Sequence, residues 1–463
     1  MHGLQVVAGA ILAPALLGFG LLRALGVPAE TERRCVLALA YLVGHFVMAH
    51  VIYVWLVLGQ PVPGWSLSLF AAAAGVLLLR GRPRGVATGP RAATSPLVWV
   101  PLLVLCLLFL DAFFTTNVDP IRRSDEAEIW ASKAKVLFAT PGFDIRHPLH
   151  FFVQHPDYPL LDPLVQVLSF ANAGAVLHHE NRLPIQMFAL ALLALLSAAL
   201  SRRAHGLIGN LALVAFAGSS FAFQAPTAYA DTMLACATLA CVDCLLRWRE
   251  SGNAAWWRVG CIAMAAMLAT KNEGAMLAVV VVFVFTCDQV ITRVRRPRLK
   301  DLAWLLVPGS TFVLGSAFNR YYDLRNDLLD PAAGGGKGLL ERVVGQVPTH
   351  AQPVAEHYGG MLIDANLHRL LPLALCAAVL LHALPIWRRQ VAAGAVLPAA
   401  TFALATLGYM TVFVGTHSDV HWHLGTAADR TLQHVLPLAV LGLCALVWPR
   451  PTIHSKPPST PIT

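Results

Sequence analysis

Residues Asp119 to Leu164 read DPIRRSDEAEIWASKAKVLFATPGFDIRHPLHFFVQHPDYPLLDPL. This stretch is far too polar to cross a bilayer, yet hydrophobic segments precede and follow it, which places it at a membrane surface. Asp125, Glu126 and Glu128 stand beside Trp130, Lys133 and Lys135. A Pro-punctuated run, His155, Pro156, Asp157, Tyr158 and Pro159, follows just before the next apolar segment. Carboxylates, cations and aromatics therefore gather at one face. A carboxylate set over the end of a helical bundle can take a proton from an acceptor while the lipid part of a substrate stays in the bilayer.

Working outward, the chain is apolar almost everywhere else. Of its 463 residues, 57% are hydrophobic and 13% charged, and the mean hydropathy is +0.63. That balance excludes a soluble domain of this size and predicts an all-α, polytopic membrane protein. Apolar runs long enough to cross a hydrocarbon core of about 30 Å as helices fall at 4–22, 36–58, 62–79, 97–114, 183–200, 206–223, 226–246, 255–270, 273–291, 302–319, 369–385, 393–415 and 432–449, which makes about thirteen transmembrane helices. Leu160 to Leu177 carries Asp162, Pro163, Gln166, Asn172 and Gly174, so it is expected as an interfacial helix rather than a span. The organisation that follows is three accessory spans over 1–96, a core over 97–449 and a cytoplasmic, Pro-rich tail over 450–463.

The net charge of +9 does not point to nucleic acid, because the cations sit in short clusters between apolar runs. Arg33 and Arg34, Arg80 to Arg91, Arg202 and Arg203, Arg247 to Arg258, Arg293 to Lys300, and Arg388 and Arg389 occupy alternate loops. The positive-inside rule assigns that side to the cytoplasm. The N-terminus is then expected outside, the C-terminus inside, and the polar segments 115–182, 320–368 and 416–431 outside. Nine cysteines all lie in or beside apolar runs, which implies no disulfide framework. Cys241 and Cys244, a formal CxxC within a span, are expected to be packing residues. Gly334, Gly335, Gly336, Lys337 and Gly338 imitate a phosphate loop, but no Ser or Thr follows the lysine and no strand precedes it, so a flexible loop is expected.

Five groups could carry chemistry. Asp125 and Glu126 supply a general base, or else plain loop carboxylates paired with Arg122 or Arg123. His155, Asp157 and Tyr158 are stiffened by two prolines, and form a substrate contact or a turn with an aromatic anchor. Asp231, near the outer end of a span, is a functional candidate or a helix–helix hydrogen-bond partner, whereas Asp243 on the same helix is expected to pair with Arg247 at i+4. Thr270, Lys271, Asn272, Glu273 and Gly274 make a polar knot in which Lys271 grips a lipid phosphate or is neutralised by Glu273. Last come His417, Asp419, His421, His423, Asp429 and Arg430: the histidines with a carboxylate bind a divalent metal or serve only hydrogen bonding and loop solvation, and Arg430 holds a phosphate bidentately; the spacing fits no closed metal motif.

In their order these pieces resemble the C-type (GT-C) glycosyltransferases, which take sugars from polyprenyl phosphate carriers. Asp125 and Glu126 resemble the Asp-Glu motif of glycosyltransferase family 39, the protein O-mannosyltransferase and lipid A aminoarabinose transferase group. YPLLDPLVQVLSFANAG and ENRLPIQMFAL are similar to its interfacial segment and Arg-Leu-Pro helix start. A bacterial branch of the group matches further at Trp130 with Lys133 to Lys135, His155 to Pro159, Tyr229 to Asp231 and Thr270 to Gly274. The resemblance spans about 97–445 and implies an inverting transfer to an extracytoplasmic acceptor, with the site on the outer face of a bacterial plasma membrane. It implies Asp125 as base, Glu126 or Asp231 assisting, and Lys271 or Arg430 on the departing phosphate. Trp130, Lys133, His155, Asp157, Tyr158, Glu273, His421 and His423 are further expected substrate contacts, and no resident metal or other cofactor is implied. The partners implied are the lipid-linked donor, the acceptor and the bilayer, without nucleic acid. The rival expectation is a transporter or flippase, although such proteins place ionisable groups near the midplane of two repeated halves, and no repeat is visible.

Overall fold

The computed structural model describes residues 2–80, 125–140, 154–204, 206–219, 221–292, 296–326, 336–363 and 395–447, together with Gly142 and scattered positions between 110 and 121. Among them every regular element is a helix. The expected spans 369–385 and most of 97–114 lie outside the described residues, as do Arg122, Arg123, Gly334, Gly335, Arg388, Arg389 and the tail.

Three helices open the chain: α1 (His2–Ala24), with one wide turn at Val7–Leu12, α2 (Arg33–Val57) and α3 (Gly64–Leu79). α1 and α2 cross with their backbones in contact. A Cβ on Gly18 would lie 1.8 Å from the Ala40 carbonyl oxygen, and one on Gly44 would lie 1.8 Å from that of Pro14. Side-chain volume is excluded there, and van der Waals contact and Cα–H donors take its place. A wide turn at Glu126–Ala131 then leads into α4 (Ser132–Ala139), followed by α5 (Leu161–Ala173), α6 (Leu183–Arg203) and α7 (Gly206–Ala217).

The bundle is built around α8 (Ala230–Ser251). Every residue from Ala230 to Arg249 is buried, as expected of a helix packed on all sides. Its alanines, cysteines and threonines let neighbours come close: α2, α6, α9 (Ala254–Thr270), α10 (Glu273–Thr292), α13 (Val396–Val414), α14 (Val420–Gln433) and α15 (Leu436–Val447) all pack on it. Cys241 and Cys244 are buried and unbonded. At the far end from Asp231, Asp243 accepts from Arg247 Nε and Arg203 Nη1, each at 2.6 Å; the i,i+4 pair expected from sequence is present, and Arg203 extends it. α11 (Leu306–Tyr321) lies against α9 and is exposed along most of its length.

Six helices are long and apolar enough to cross a membrane, and a seventh if α14 and α15, bent by 51°, form one broken span. They mark the chain as an integral membrane protein. Thirteen spans are not reached among the described residues, for two physical reasons. α3, α7 and α9 have 16, 12 and 17 residues, short of the roughly 20 that a straight crossing takes. α8 is long enough but carries Asp231, Asp243, Arg247 and Arg249, and it meets other helices rather than lipid.

Three polar regions are helical, where the sequence implies a helix only for the first. α5 is short, 13 residues, but eleven of them are buried; its polar side chains bond inward, Gln166 to Asp162 at 2.8 Å, Asn181 to Gln166 at 2.7 Å and Ser68 to Asn172 at 3.0 Å. Segment 320–368, expected as a loop, contains α12 (Leu339–Ile363), a 25-residue helix that keeps Pro348 and Pro353 inside it. Segment 416–431 is largely α14, whose N-terminus Asp419 caps by accepting from the Trp422 amide at 2.8 Å.

Candidate active site at one end of the bundle

Asp231 stands in the first turn of α8, where the unpaired amides of a helix start favour a carboxylate. It is 1% exposed and meets three donors. Lys271 Nζ lies 3.0 Å and His434 Nε2 2.7 Å from Oδ1, and Arg430 Nη2 lies 3.0 Å from Oδ2. Arg430 and His434 are four residues apart at the end of α14, so one helical face delivers both. The 51° bend between α14 and α15 at this point turns that face onto α8.

Each cation reaches a second carboxylate. Arg430 Nη1 also donates to Asp125, immediately before the Glu126–Ala131 turn, while its guanidinium lies 4.5 Å from the Tyr229 ring centre. Lys271 also contacts Glu273 at 3.1 Å. The order is Asp125, Arg430, Asp231, Lys271, Glu273. Burial alone would depress the Lys271 amine, but Asp231 and Glu273 outweigh it and hold it above its usual value. The α9–α10 turn that presents Lys271 requires glycine at 274, because a Cβ there would lie 1.9 Å from the Met267 carbonyl oxygen. Behind Asp231, His434 Nδ1 lies 2.8 Å from the buried Tyr409 hydroxyl. With the proton on Nε2, the neutral ring donates to Asp231 and accepts from Tyr409, which satisfies both neighbours.

Glu126 adjoins Asp125 but faces inward. It is fully buried, and its Oε1 accepts from Arg182 Nε and from the Ala228 amide, both at 2.7 Å. It therefore ties the 125–131 turn to the starts of α6 and α8 and sets where Asp125 stands. Trp130 is fully buried, out of reach of a sugar, while Tyr158 is half-buried, stacks with Trp130 at 5.5 Å and with His155 at 4.7 Å, and lines the cleft described below. Lys133, buried beside these rings, donates to the His155 carbonyl at 2.6 Å. Burial pushes its amine down to about 7 against the opposing pull of Asp157 and Asp162. His155 has φ of +45°, a left-handed conformation uncommon outside glycine, and this directs its carbonyl at Lys133.

No protein-family model, curated protein or solved structure matches this chain.

Next to Lys271, a cleft of about 150 Å³ opens between α2, the start of α5, the α9–α10 turn and α11. Its walls are mostly apolar, among them Tyr53, Leu164, Leu268, Phe312 and Phe318, while one end holds Asp157, Lys271, Asn272 and Asn319. Phe312 and Leu314 on α11 are more than half exposed, so the apolar end faces whatever surrounds the bundle. Burial raises the Asp157 carboxyl above its usual range, and amide bonds from Asn326 and Asn272 moderate the rise.

The structure thus brings together Asp125, Asp231, Lys271, Glu273 and Arg430, and sets Asp157 at the adjoining cleft. His421 is exposed, and His423 bonds Thr416 Oγ1 at 2.8 Å and packs on Phe413, so neither touches the Asp231 cluster. Among the described residues no three metal-ligating side chains gather in one place. His434 and Tyr409 are the residues that sequence reasoning missed.

Proposed function

We propose that this protein is a membrane glycosyltransferase that moves a sugar from a polyprenyl phosphate carrier to an extracytoplasmic acceptor, with inversion. The observation that carries the reading is the cleft: apolar and open along α11 at one end, with Lys271 at its polar end beside the Asp125–Arg430–Asp231 chain. An amphipathic lipid with an anionic head and a long apolar tail has that distribution of chemistry. The arginines that pair around Asp243, Glu250 and Asp288 lie at the opposite end of α8, which supports an extracytoplasmic site by the positive-inside rule. The GT-C resemblance and the larger number of spans belong to the same proposal.

The step follows from charge balance. The acceptor hydroxyl oxygen attacks the anomeric carbon as its proton passes to Asp125. The carbon–oxygen bond to phosphate breaks, and the phosphate keeps the electron pair. The phosphodiester enters with one negative charge and leaves as a monoester with two, while Asp125 loses one by protonation. Arg430, which holds Asp125 beforehand, is then drawn to the phosphate, so one guanidinium serves both charge states. Attack opposite the leaving group inverts the centre.

The test is native mass spectrometry of gently purified protein for bound polyprenyl phosphate or its glycosylated form, followed by transfer from the carrier so identified in nanodiscs. Carrier found and sugar transferred by the wild type but not by Asp125→Asn supports the reading; absence of carrier when other phospholipids are retained overturns it. A second reading, a proton-coupled transporter or flippase, is favoured by one observation, the buried Asp231–His434–Tyr409 chain, since such relays serve pumps. Carrier flipping in vesicles without transfer would decide for it.

A further inference from the structure

Asp157 is 2% exposed and held from three sides. Its Oδ2 accepts from the side-chain amides of Asn272 at 2.5 Å and Asn326 at 2.7 Å, and its carbonyl oxygen accepts from Asn319 at 2.9 Å. These contacts fix the plane of the carboxylate. The other oxygen, Oδ1, is buried and has no hydrogen-bond partner among the described residues, while the residue lines the polar end of the cleft. A buried acceptor without a donor is costly. The cleft is where a donor would arrive.

We propose that Asp157 is a specificity-determining residue that accepts a hydrogen bond from a hydroxyl of a neutral sugar ring carried on an apolar tail. An ionised carboxylate oxygen only accepts, so the group meeting it must donate. A phosphate or a uronic-acid carboxylate brings like charge and no donor, and is turned away from Asp157 itself towards Lys271 and Arg430. A sugar hydroxyl supplies the donor, and Tyr53 and Phe318 on the cleft wall suit the apolar faces of a pyranose. This deepens the transferase reading by naming the part of the donor that Asp157 selects; the binding preference itself does not depend on any reaction.

The probes are octyl gluco-, galacto- and mannopyranosides, their per-O-methyl derivatives, which keep acceptors and lose donors, and an octyl glucuronide. Binding is measured calorimetrically on full-length protein in detergent-free nanodiscs. At least one octyl glycoside should bind the wild type about tenfold or more tighter than both its methylated form and the glucuronide. Asp157→Asn should erase the gap between glycoside and methylated form and reverse the order of glycoside and glucuronide. The new amide must give its oxygen to Asn272 and Asn326, so its NH2 group takes the place of Oδ1 and donates to hydroxyl and ether oxygens alike, and most strongly to a carboxylate. A residue that only braced the turn would weaken all probes alike. Equal binding of glycoside and methylated glycoside to wild type overturns the proposal without needing any variant, as does an unreversed order in a folded Asp157→Asn. Reversal in a protein that transfers no sugar would sink the transferase reading and leave this one standing; transfer whose sugar preference ignores Asp157→Asn would do the opposite.

Discussion

Asp231→Asn should make the protein less stable and a better anion binder at once. The side chain is buried and touches Lys271, His434 and Arg430 at 2.7 to 3.0 Å. Removing one member of a buried ion pair costs about 3 to 5 kcal/mol. The lower end applies here, because Arg430 keeps Asp125 and Lys271 keeps Glu273. We therefore expect a loss of about 3 kcal/mol, seen as a melting temperature lower by several degrees. The same change removes a negative charge from between the two cations. At an effective dielectric of about 20, a unit charge some 4 Å away is worth about 4 kcal/mol. With both cations relaxing onto their remaining carboxylates, about a third of that should survive, roughly tenfold in affinity. Dodecyl phosphate titrated into nanodisc-held protein reads the affinity, and thermal denaturation reads the stability. Unchanged melting together with weaker phosphate binding would refute the assignment of Asp231 as the shared counter-ion of Arg430 and Lys271.

Other changes separate chemistry from support. Asp125 is about a third exposed, so Asp125→Asn should cost under about 1 kcal/mol in stability yet lower transfer about 10² to 10⁴-fold in a radiolabelled-donor assay. Glu126→Gln should instead cost about 1.5 to 3 kcal/mol through its bonds to Arg182 and Ala228, with denaturant midpoints as the check. Burial raises Asp162 to about 8, with its Gln166 bond opposing and Glu126 and Asp231 adding to the rise. Its folded value lies above the unfolded one, so stability is full below about pH 4 and falls as pH climbs towards 8. Asp162→Asn should flatten that slope, melting higher than wild type at pH 8 and level with it at pH 4. Gly274→Ala should displace the Lys271 turn, given the 1.9 Å approach to Met267, and weaken dodecyl phosphate binding.

What the sequence made legible was mostly a matter of charge out of place. Asp231 and Lys271 stand out because an ionisable group beside apolar runs has few uses, and both meet in the cluster. His434 escaped because the expected border between the polar segment 416–431 and the span 432–449 falls between it and Arg430, so the helical spacing of the two went unread. Arg430 and His434 at i,i+4, behind an N-terminal Asp419, carried the signal. The polar residues of α5 are a different case: Asp162, Gln166 and Asn172 rule against a span, but composition alone cannot tell water from another polar stripe. Here Asn181 and Ser68 take water's place. Pro348 and Pro353 hid α12, whose packing on α13 and α14 tolerates them. Glu126 and Asp125 are neighbours in sequence, and only the fold turns one inward and the other out.

The ionic layers at the two ends of α8 also act as a ruler. From Asp231 to Asp243 the helix climbs twelve residues, about 18 Å at 1.5 Å each. A hydrocarbon core is about 30 Å thick. The two charged layers are thus closer together than the two faces of the membrane, and both cannot sit at headgroup level unless the bilayer thins around them. A dimple of that depth would bring headgroups down to the polar end of the cleft, shortening the climb for the phosphate of the proposed donor and giving the proposed acceptor a well to enter.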